Sequence, residues 1–284
     1  MGILHTYVFG REPGVLGFLD KKTHSEAYYS WRDGNAALMD TLNHREYTLT
    51  TPKGEKLKGF YYPAGDEPSD KIVFIIHGYR SNHAETAGMF RDFYHQRGID
   101  IFTVDNPAAG QSEGDLVTFD YYESEAALLW LEFLLMTFGE NIEIFLHGFS
   151  LGGGTVLMMS DRVPENVRFI IDDCGISGAP DLLKNQLGIL YTPLNVINLV
   201  KHNFRFSLSM TDVRPHLAKA KCPILFVHGE KDKTVPFSTG REMYSLCPTY
   251  KDKLFVPEAA HMECIWFRPG SYGQKVDQFI EYFC

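Results

Sequence analysis

Apolar and polar positions change rhythm several times along this chain, and each change marks an element. From Glu46, EYTLTTPKGEKLKGFYYP alternates apolar and polar residues around the turn signal Pro52–Lys53–Gly54, which predicts an antiparallel hairpin. KIVFIIHG follows as a continuous apolar run, the pattern of a parallel strand covered on both faces. Residues Asn82 to Arg97 have helical length and end at Gly98, a predicted C-cap. The alternation then repeats through strand IDIFTVD, loop NPAAGQSEGD and a helix from about Thr118 to Phe138, stopped by Gly139. Strand IEIFLHG leads into a helix start at SLGGGTVLMMS. VRFIIDDCG, CPILFVHG and DKLFVPE read as three more strands, and a last helix is expected from about Gly273 to Phe283.

Strands alternating with helices predict an α/β fold with a mostly parallel central sheet and helices on both faces. Two segments stand outside the rhythm. Residues 1–44 are weakly periodic and read as an N-terminal extension carrying a helix or two against the sheet edge. The interval between the strand ending near Cys174 and the one beginning at Pro223 is far longer than the dozen or so residues of a simple crossover. Its middle, LLKNQLGILYTPLNVINLVKHNFRFSLSM, is apolar and aromatic but broken at Pro193. The excess, approximately 176–212, predicts a small helical cap over the C-terminal edge of the sheet. One domain, 1–284, accounts for the whole chain, without repeats or low-complexity tracts.

The densest chemistry is Gly148-Phe149-Ser150-Leu151-Gly152, a G-x-S-x-G directly after a strand and directly before a helix. A nucleophilic serine there needs a sharp strand-to-helix turn, flanking glycines that admit close backbone approach, and a helix N-terminus aimed at developing negative charge. Serine also needs a base. Four histidines lie downstream: His202, His216, His228 and His261. His228 ends a buried strand and reads as structural, while His202 and His216 fall in or beside the cap. His261, in PEAAHMECIW after the last strand, is the expected base. The expected acid is Asp232 in HGEKDKTVP, with Glu230 as its substitute; Asp172 and Asp173, ending another strand, read as structural or supporting.

Two N–H groups are expected to hold an oxyanion: that of Leu151, and that of Tyr79 in the loop His77-Gly78-Tyr79-Arg80 after the third strand. The Tyr79 side chain and Arg80 would face substrate. Aromatic residues make up 14% of the chain, more than a core alone needs. Phe149, Tyr191, Phe204, Phe206, Phe237 and Trp266 are candidates to line an apolar pocket, with Phe149, Tyr191, Phe206 and Trp266 taken as substrate-binding residues.

A formal charge of −9 argues against nucleic acid and against anionic membrane surfaces. Five cysteines without CxxC or metal-like spacing suit free thiols in a reducing cytoplasm. No signal peptide is evident and no apolar run is long enough to span a bilayer. HExxH, Walker and GxGxxG motifs are absent, so neither a metal nor an organic cofactor is expected.

IIHGYRSN, VDNPAAGQSEGD, LHGFSLGG, IDDCG, ILFVHGEKDKTVP and EAAHME fall in the order and context of the α/β-hydrolase superfamily. They resemble most its bacterial serine-aminopeptidase-like branch, which also holds many esterases, over roughly residues 45–284. The resemblance implies an α/β-hydrolase fold and the triad Ser150, Asp232, His261. It leaves the substrate open, because peptidases, esterases, thioesterases and C–C hydrolases share this scaffold. Relatives commonly carry D-x-R-x-x-G-x-S after the fourth strand; Asp105-Asn106-Pro107-Ala108-Ala109-Gly110-Gln111-Ser112 lacks that arginine, so the loop must be pinned differently.

The expected function is hydrolysis of a small-molecule carboxylic ester, small or aromatic, through an acyl-enzyme. An aminopeptidase or amidase would want an acidic cap to hold a free amine, where the sequence offers only Asp181 and Asp212. A thioesterase would use the same triad, and a small-molecule receptor on a hydrolase scaffold would favour a broken one.

Overall fold

Among the described residues, eight strands form one sheet in the order β1-β2-β4-β3-β5-β6-β7-β8. The computed structural model describes residues 9–11, 24–188, 192 and 207–284. The strands are β1 (Arg45–Thr50), β2 (Lys56–Tyr62), β3 (Lys71–Ile76), β4 (Asp100–Asp105), β5 (Glu143–Phe149), β6 (Val167–Asp173), β7 (Ile224–Gly229) and β8 (Lys251–Val256). The helices among the described residues are α1 (Glu26–Met39), α2 (His83–His95), α3 (Tyr121–Phe138), α4 (Leu151–Met158), α5 (Ala179–Leu187), α6 (Arg214–Leu217), α7 (Phe237–Leu246), α8 (Cys264–Phe267) and α9 (Pro269–Phe283).

The expected hairpin is β1–β2, turned at Gly54 with φ 88°, where glycine meets no steric penalty. It pairs antiparallel onto β4, while the strands from β4 to β8 are mutually parallel. The continuous apolar strands are buried on both sides, and their period of two divides them between two cores. Ile72, Phe74 and Ile76 of β3 join Trp130 of α3, Val156 of α4 and Met243 of α7 on one face. Val73 and Ile75 join Tyr28 of α1, Phe90 and Tyr94 of α2, and Tyr272 and Phe279 of α9 on the other.

Several expected boundaries shift. The last helix begins at Pro269, not near Gly273, because proline is accommodated in a first helical turn. The helix expected from Thr118 begins at Tyr121, after Phe119 and Asp120 adopt positive φ. Within the N-terminal extension, α1 packs over α2 and α8 and not along a sheet edge. Its aromatic stripe is the reason: Trp31 meets Trp266 at 5.2 Å between ring centroids, and the Tyr28 hydroxyl donates to the Met262 carbonyl at 3.1 Å. The described part of the expected cap is α5 and a 3-10 turn at Leu208–Thr211. Tyr191, His202, Phe204 and Phe206 lie outside the described residues.

Candidate active site

β5 delivers its last residue, Phe149, into the core, and the chain reverses at Ser150 to start α4 at once. Ser150 carries φ 54° and ψ −111°, a backbone region unfavourable for a residue with a Cβ. The turn is held from three sides. Ser150 N–H donates to the Asp173 carbonyl at 2.9 Å, and its carbonyl accepts from Gly154 at 3.1 Å and Ile176 at 3.2 Å. A Cβ on Gly152 would lie 2.1 Å from the Ile76 carbonyl oxygen, so the start of α4 seats directly on β3.

His261 comes from the loop after β8 and Asp232 from the loop after β7. His261 Nε2 stands 2.8 Å from Ser150 Oγ, and its Nδ1 stands 2.6 Å from Asp232 Oδ2. Burial alone would raise the Asp232 carboxyl, but the charge and hydrogen bond of His261, the charge of His228 and backbone donors outweigh it, and the group is held below its ordinary value. An ionised Asp232 can only accept, so Nδ1 carries the proton, and Nε2 is left to accept from the serine hydroxyl. Asp232 is oriented by its own turn: Oδ1 accepts from Thr234 N at 2.8 Å and Val235 N at 2.9 Å. Glu230 is exposed and His216 pairs with Asp161 at 3.0 Å, so neither joins this set. His228 is buried, 3.0 Å from the Val235 carbonyl and 3.5 Å from Asp232 Oδ2, where it supports the turn that carries the acid.

The loop after β3 runs against the serine, since a Cβ on Gly78 would stand 3.3 Å from Ser150 Cβ. Tyr79 is the next residue, its ring stacked with Phe119 at 5.7 Å, and the Arg80 guanidinium lies 4.8 Å from the Tyr79 ring. Leu151 opens α4, where helix geometry provides its N–H with no partner four residues back. Leu151, Phe119, Ile176 and Val235 form an apolar cluster against which Tyr79 packs.

Three aromatic candidates pack elsewhere. Phe149 is buried between Phe90, at 4.9 Å, and His147, at 4.2 Å, because strand alternation turns it away from the side taken by its neighbours. Trp266 is committed to Trp31 and Tyr28 of α1. Phe237 packs on Phe255 of β8 at 4.9 Å.

The loop without its arginine is pinned by other groups. Asp105 Oδ1 accepts from His83 N and Nδ1, each at 2.9 Å, and Oδ2 accepts from Gln111 N at 2.7 Å. An arginine does arrive, from far away in sequence: Arg11 donates to the carbonyl of Ser112 at 2.8 Å and to that of Gly110. No local spacing announces that contact. Sequence reading also missed a buried polar chain behind β6, made of Asp173, Tyr272, His147 and Tyr94; its one signal was a pair of aspartates ending an apolar strand.

Among the described residues, one group of side chains, Cys174, Asp232 and His261, brings potential metal-ligand atoms within 4.8 Å of one another. Its carboxylate and imidazole already bond each other, and burial pushes the Cys174 thiol well up, so the set is a hydrogen-bonded pair beside a protonated thiol.

A model of the alpha/beta hydrolase fold family matches residues 71–208. The uncharacterized protein YqkD of Bacillus subtilis is 22% identical over 277 residues, which is 94% of this chain and 90% of YqkD. The esterase Pf2001 of Pyrococcus furiosus superposes with a TM-score of 0.69 at 20% identity, covering 86% of this chain and 92% of that one. Est1E of Butyrivibrio proteoclasticus, solved with ferulic acid bound, gives a TM-score of 0.67 at 18% identity, over 84% of this chain and 98% of Est1E. At these identities the likeness to the solved structures is one of fold.

Proposed function

The chain has the α/β-hydrolase fold, and from that premise we propose that it is a serine hydrolase that cleaves a carboxylic ester through an acyl-enzyme. The observation that carries this reading is the unbroken chain Ser150–His261–Asp232, at 2.8 and 2.6 Å, assembled from three loops at the C-terminal ends of parallel strands.

Ser150 Oγ attacks the ester carbonyl while His261 Nε2 takes its proton. The oxyanion is held by the N–H groups of Leu151 and Tyr79, where the α4 N-terminus adds its dipole. Collapse breaks the bond to the alcohol oxygen, which leaves with the proton from His261. Water then enters, gives its proton to His261, and releases the acid by the same route. Asp232 keeps Nδ1 protonated throughout and stabilises the imidazolium.

The apolar cluster of Tyr79, Phe119, Leu151, Ile176 and Val235 beside the serine supports a small or aromatic substrate group. The aminopeptidase reading loses support from the two acids it would use. Asp181 and Asp212 both pair with Arg214, at 2.6 and 3.0 Å, so each already has a cationic partner within the chain. The five free thiols, four of them buried, support a reducing compartment such as the cytoplasm. No helix among the described residues is long and apolar enough to cross a membrane.

Ser150→Ala tests the assignment, with turnover measured on a panel of acyl-chain esters, aromatic esters, thioesters and aminoacyl anilides. Loss of the nucleophile is expected to reduce turnover about 10⁶-fold with the fold retained. Ester turnover above about a hundredth of wild type in the purified variant, or labelling of a residue other than Ser150 by a fluorophosphonate, would overturn it.

A further inference from the structure

Behind the serine turn, β5, β6, α2 and α9 enclose a line of four polar side chains, all buried among apolar residues. Tyr94 Oη stands 2.7 Å from His147 Nδ1, His147 Nε2 stands 2.8 Å from Tyr272 Oη, and the Tyr272 hydroxyl donates to Asp173 Oδ2 at 2.8 Å. With Asp173 ionised, the direction of every bond in the line is determined. Tyr272 gives its one proton to Asp173, so its oxygen can only accept from His147 Nε2–H. Burial pushes His147 well down, which keeps it neutral with a single N–H, so Nδ1 must accept from Tyr94. Three donors in series therefore point one way, towards Asp173. Phe90 and Phe149 wall the imidazole, at 4.7 and 4.2 Å, and keep the line dry.

Asp173 sits where this line reaches the site. Its backbone carbonyl holds the Ser150 N–H, and its carboxyl interacts electrostatically with both His261 and Asp232. The second oxygen, Oδ1, is buried and makes no hydrogen bond of ordinary length among the described residues; beyond Tyr272 the carboxyl meets only the weak donor of the Cys174 thiol. A line of buried donors ending on a half-satisfied carboxyl beside a catalytic imidazole is costly unless the charge does something there.

We propose that Asp173 is a positioning residue of the hydrolytic reaction: oriented by the directional line Tyr94–His147–Tyr272, it supplies a second carboxylate that stabilises the His261 imidazolium while the serine proton is held there. The inference rests on the Ser150–His261 reading of the site. In the neutral pH range the neighbour that also changes charge is Asp172, which burial and the charge of Asp173 raise to about 8. Burial pushes the thiols of Cys174 and Cys264 and the hydroxyls of Tyr272, Tyr28 and Tyr94 well up, so all stay neutral. Burial lowers His24, which is paired with Glu263 at 2.9 Å. Asp172, the neighbour on β6, points to the opposite face and accepts from Gly175 N at 3.0 Å. Burial, helped by the charge of Asp232, raises Asp173 itself to about 7, with the Tyr272 hydrogen bond, the charge of His261 and the Cys174 thiol opposing that rise, so its ionisation is coupled to the loading of His261.

The test follows the rate at which a fluorophosphonate modifies Ser150 across pH in wild type, Asp173→Asn and Tyr272→Phe, with thermal melting of each. Asp173→Asn keeps the size of the side chain and removes the charge. Its acid limb should move to lower pH by about one unit, and its plateau rate should fall about tenfold, since one unit corresponds to a tenfold change in proton affinity. Tyr272→Phe removes the donor that favours ionised Asp173 and should move the limb the same way by less. A purely structural role would lower melting temperature or plateau rate while leaving the limb in place. An unmoved limb in folded Asp173→Asn overturns the proposal; if that variant does not fold, an unmoved limb in Tyr272→Phe does so. Failure of wild-type Ser150 to react at any pH would instead remove the hydrolase reading beneath it.

Discussion

Gly148 and Gly152 meet backbone to backbone across the serine turn: a Cβ on Gly148 would lie 2.0 Å from the carbonyl oxygen of Gly152. The obstacle is main chain, which cannot rotate aside as a side chain can. Gly148→Ala is therefore expected to displace the turn, abolishing fluorophosphonate labelling and lowering the melting temperature together. Ser150→Gly should do the opposite to stability. By relieving positive φ at residue 150 it should be more stable than Ser150→Ala by about 1 kcal/mol, measurable by denaturant unfolding of the two inactive proteins.

Asp232→Asn separates geometry from charge. The substituted side chain can keep its amide oxygen as acceptor for the Thr234 and Val235 N–H groups, so the turn should survive. Its NH₂ group then faces His261 Nδ1 and forces the proton to Nε2, where it cannot accept from serine. A fall in kcat of about 10⁴ with an unchanged melting temperature is expected from ester kinetics and calorimetry. A fall below about tenfold would place the acid elsewhere, with Glu230 the first alternative to test.

The pH dependence of stability should report on Asp172. Burial, reinforced by the charge of Asp173, raises Asp172 to about 8, against about 3.9 in an unfolded chain. Between those values the folded state binds more protons than the unfolded one, so this group costs stability as pH rises through the window and levels off above about 8. Asp172→Asn should accordingly gain melting temperature relative to wild type on going from about pH 5 to about pH 9. Comparing the two proteins at each pH cancels the opposing contributions of the buried histidines. A difference that stayed constant across that range would mean Asp172 is ionised throughout.

Trp266→Ala decides between a pocket wall and a structural clasp. The tryptophan is half-buried against Trp31 and Tyr28, so its loss should cost no more than the lower part of the about 3–5 kcal/mol seen for core aromatics. Ester-size preference, measured on a homologous acyl series, should stay as in wild type.

The parallel sheet and the hydrogen-bonded set Ser150, His261 and Asp232 were legible because each left a local mark. Buried strands read as unbroken apolar runs, and Ser150, Asp232 and His261 each follow one. The supports of the site left no such mark. Arg11 reaches Gly110 and Ser112 across about a hundred residues, and Tyr272 on α9 meets Asp173 on β6 only after the sheet has folded. The packing of Phe149 on Phe90 and of Trp266 on Trp31 left no mark for a related reason: composition reveals that aromatics are plentiful, but strand alternation and the docking of α1 decide which way each one points.

Ser150 and His261 are 111 residues apart, and Asp232 precedes His261 by 29. At a synthesis rate of about 5–20 residues per second, the serine leaves the ribosome on the order of ten seconds before its base. Throughout that interval it is an ordinary alcohol, attached to a helix start that nothing yet activates. With Ser150 as the proposed nucleophile, its activation waits until β7 and β8 have docked and brought the Asp232 and His261 loops across. On the proposed reading, a product truncated between residues 150 and 261 would carry Ser150 without the imidazole that activates it.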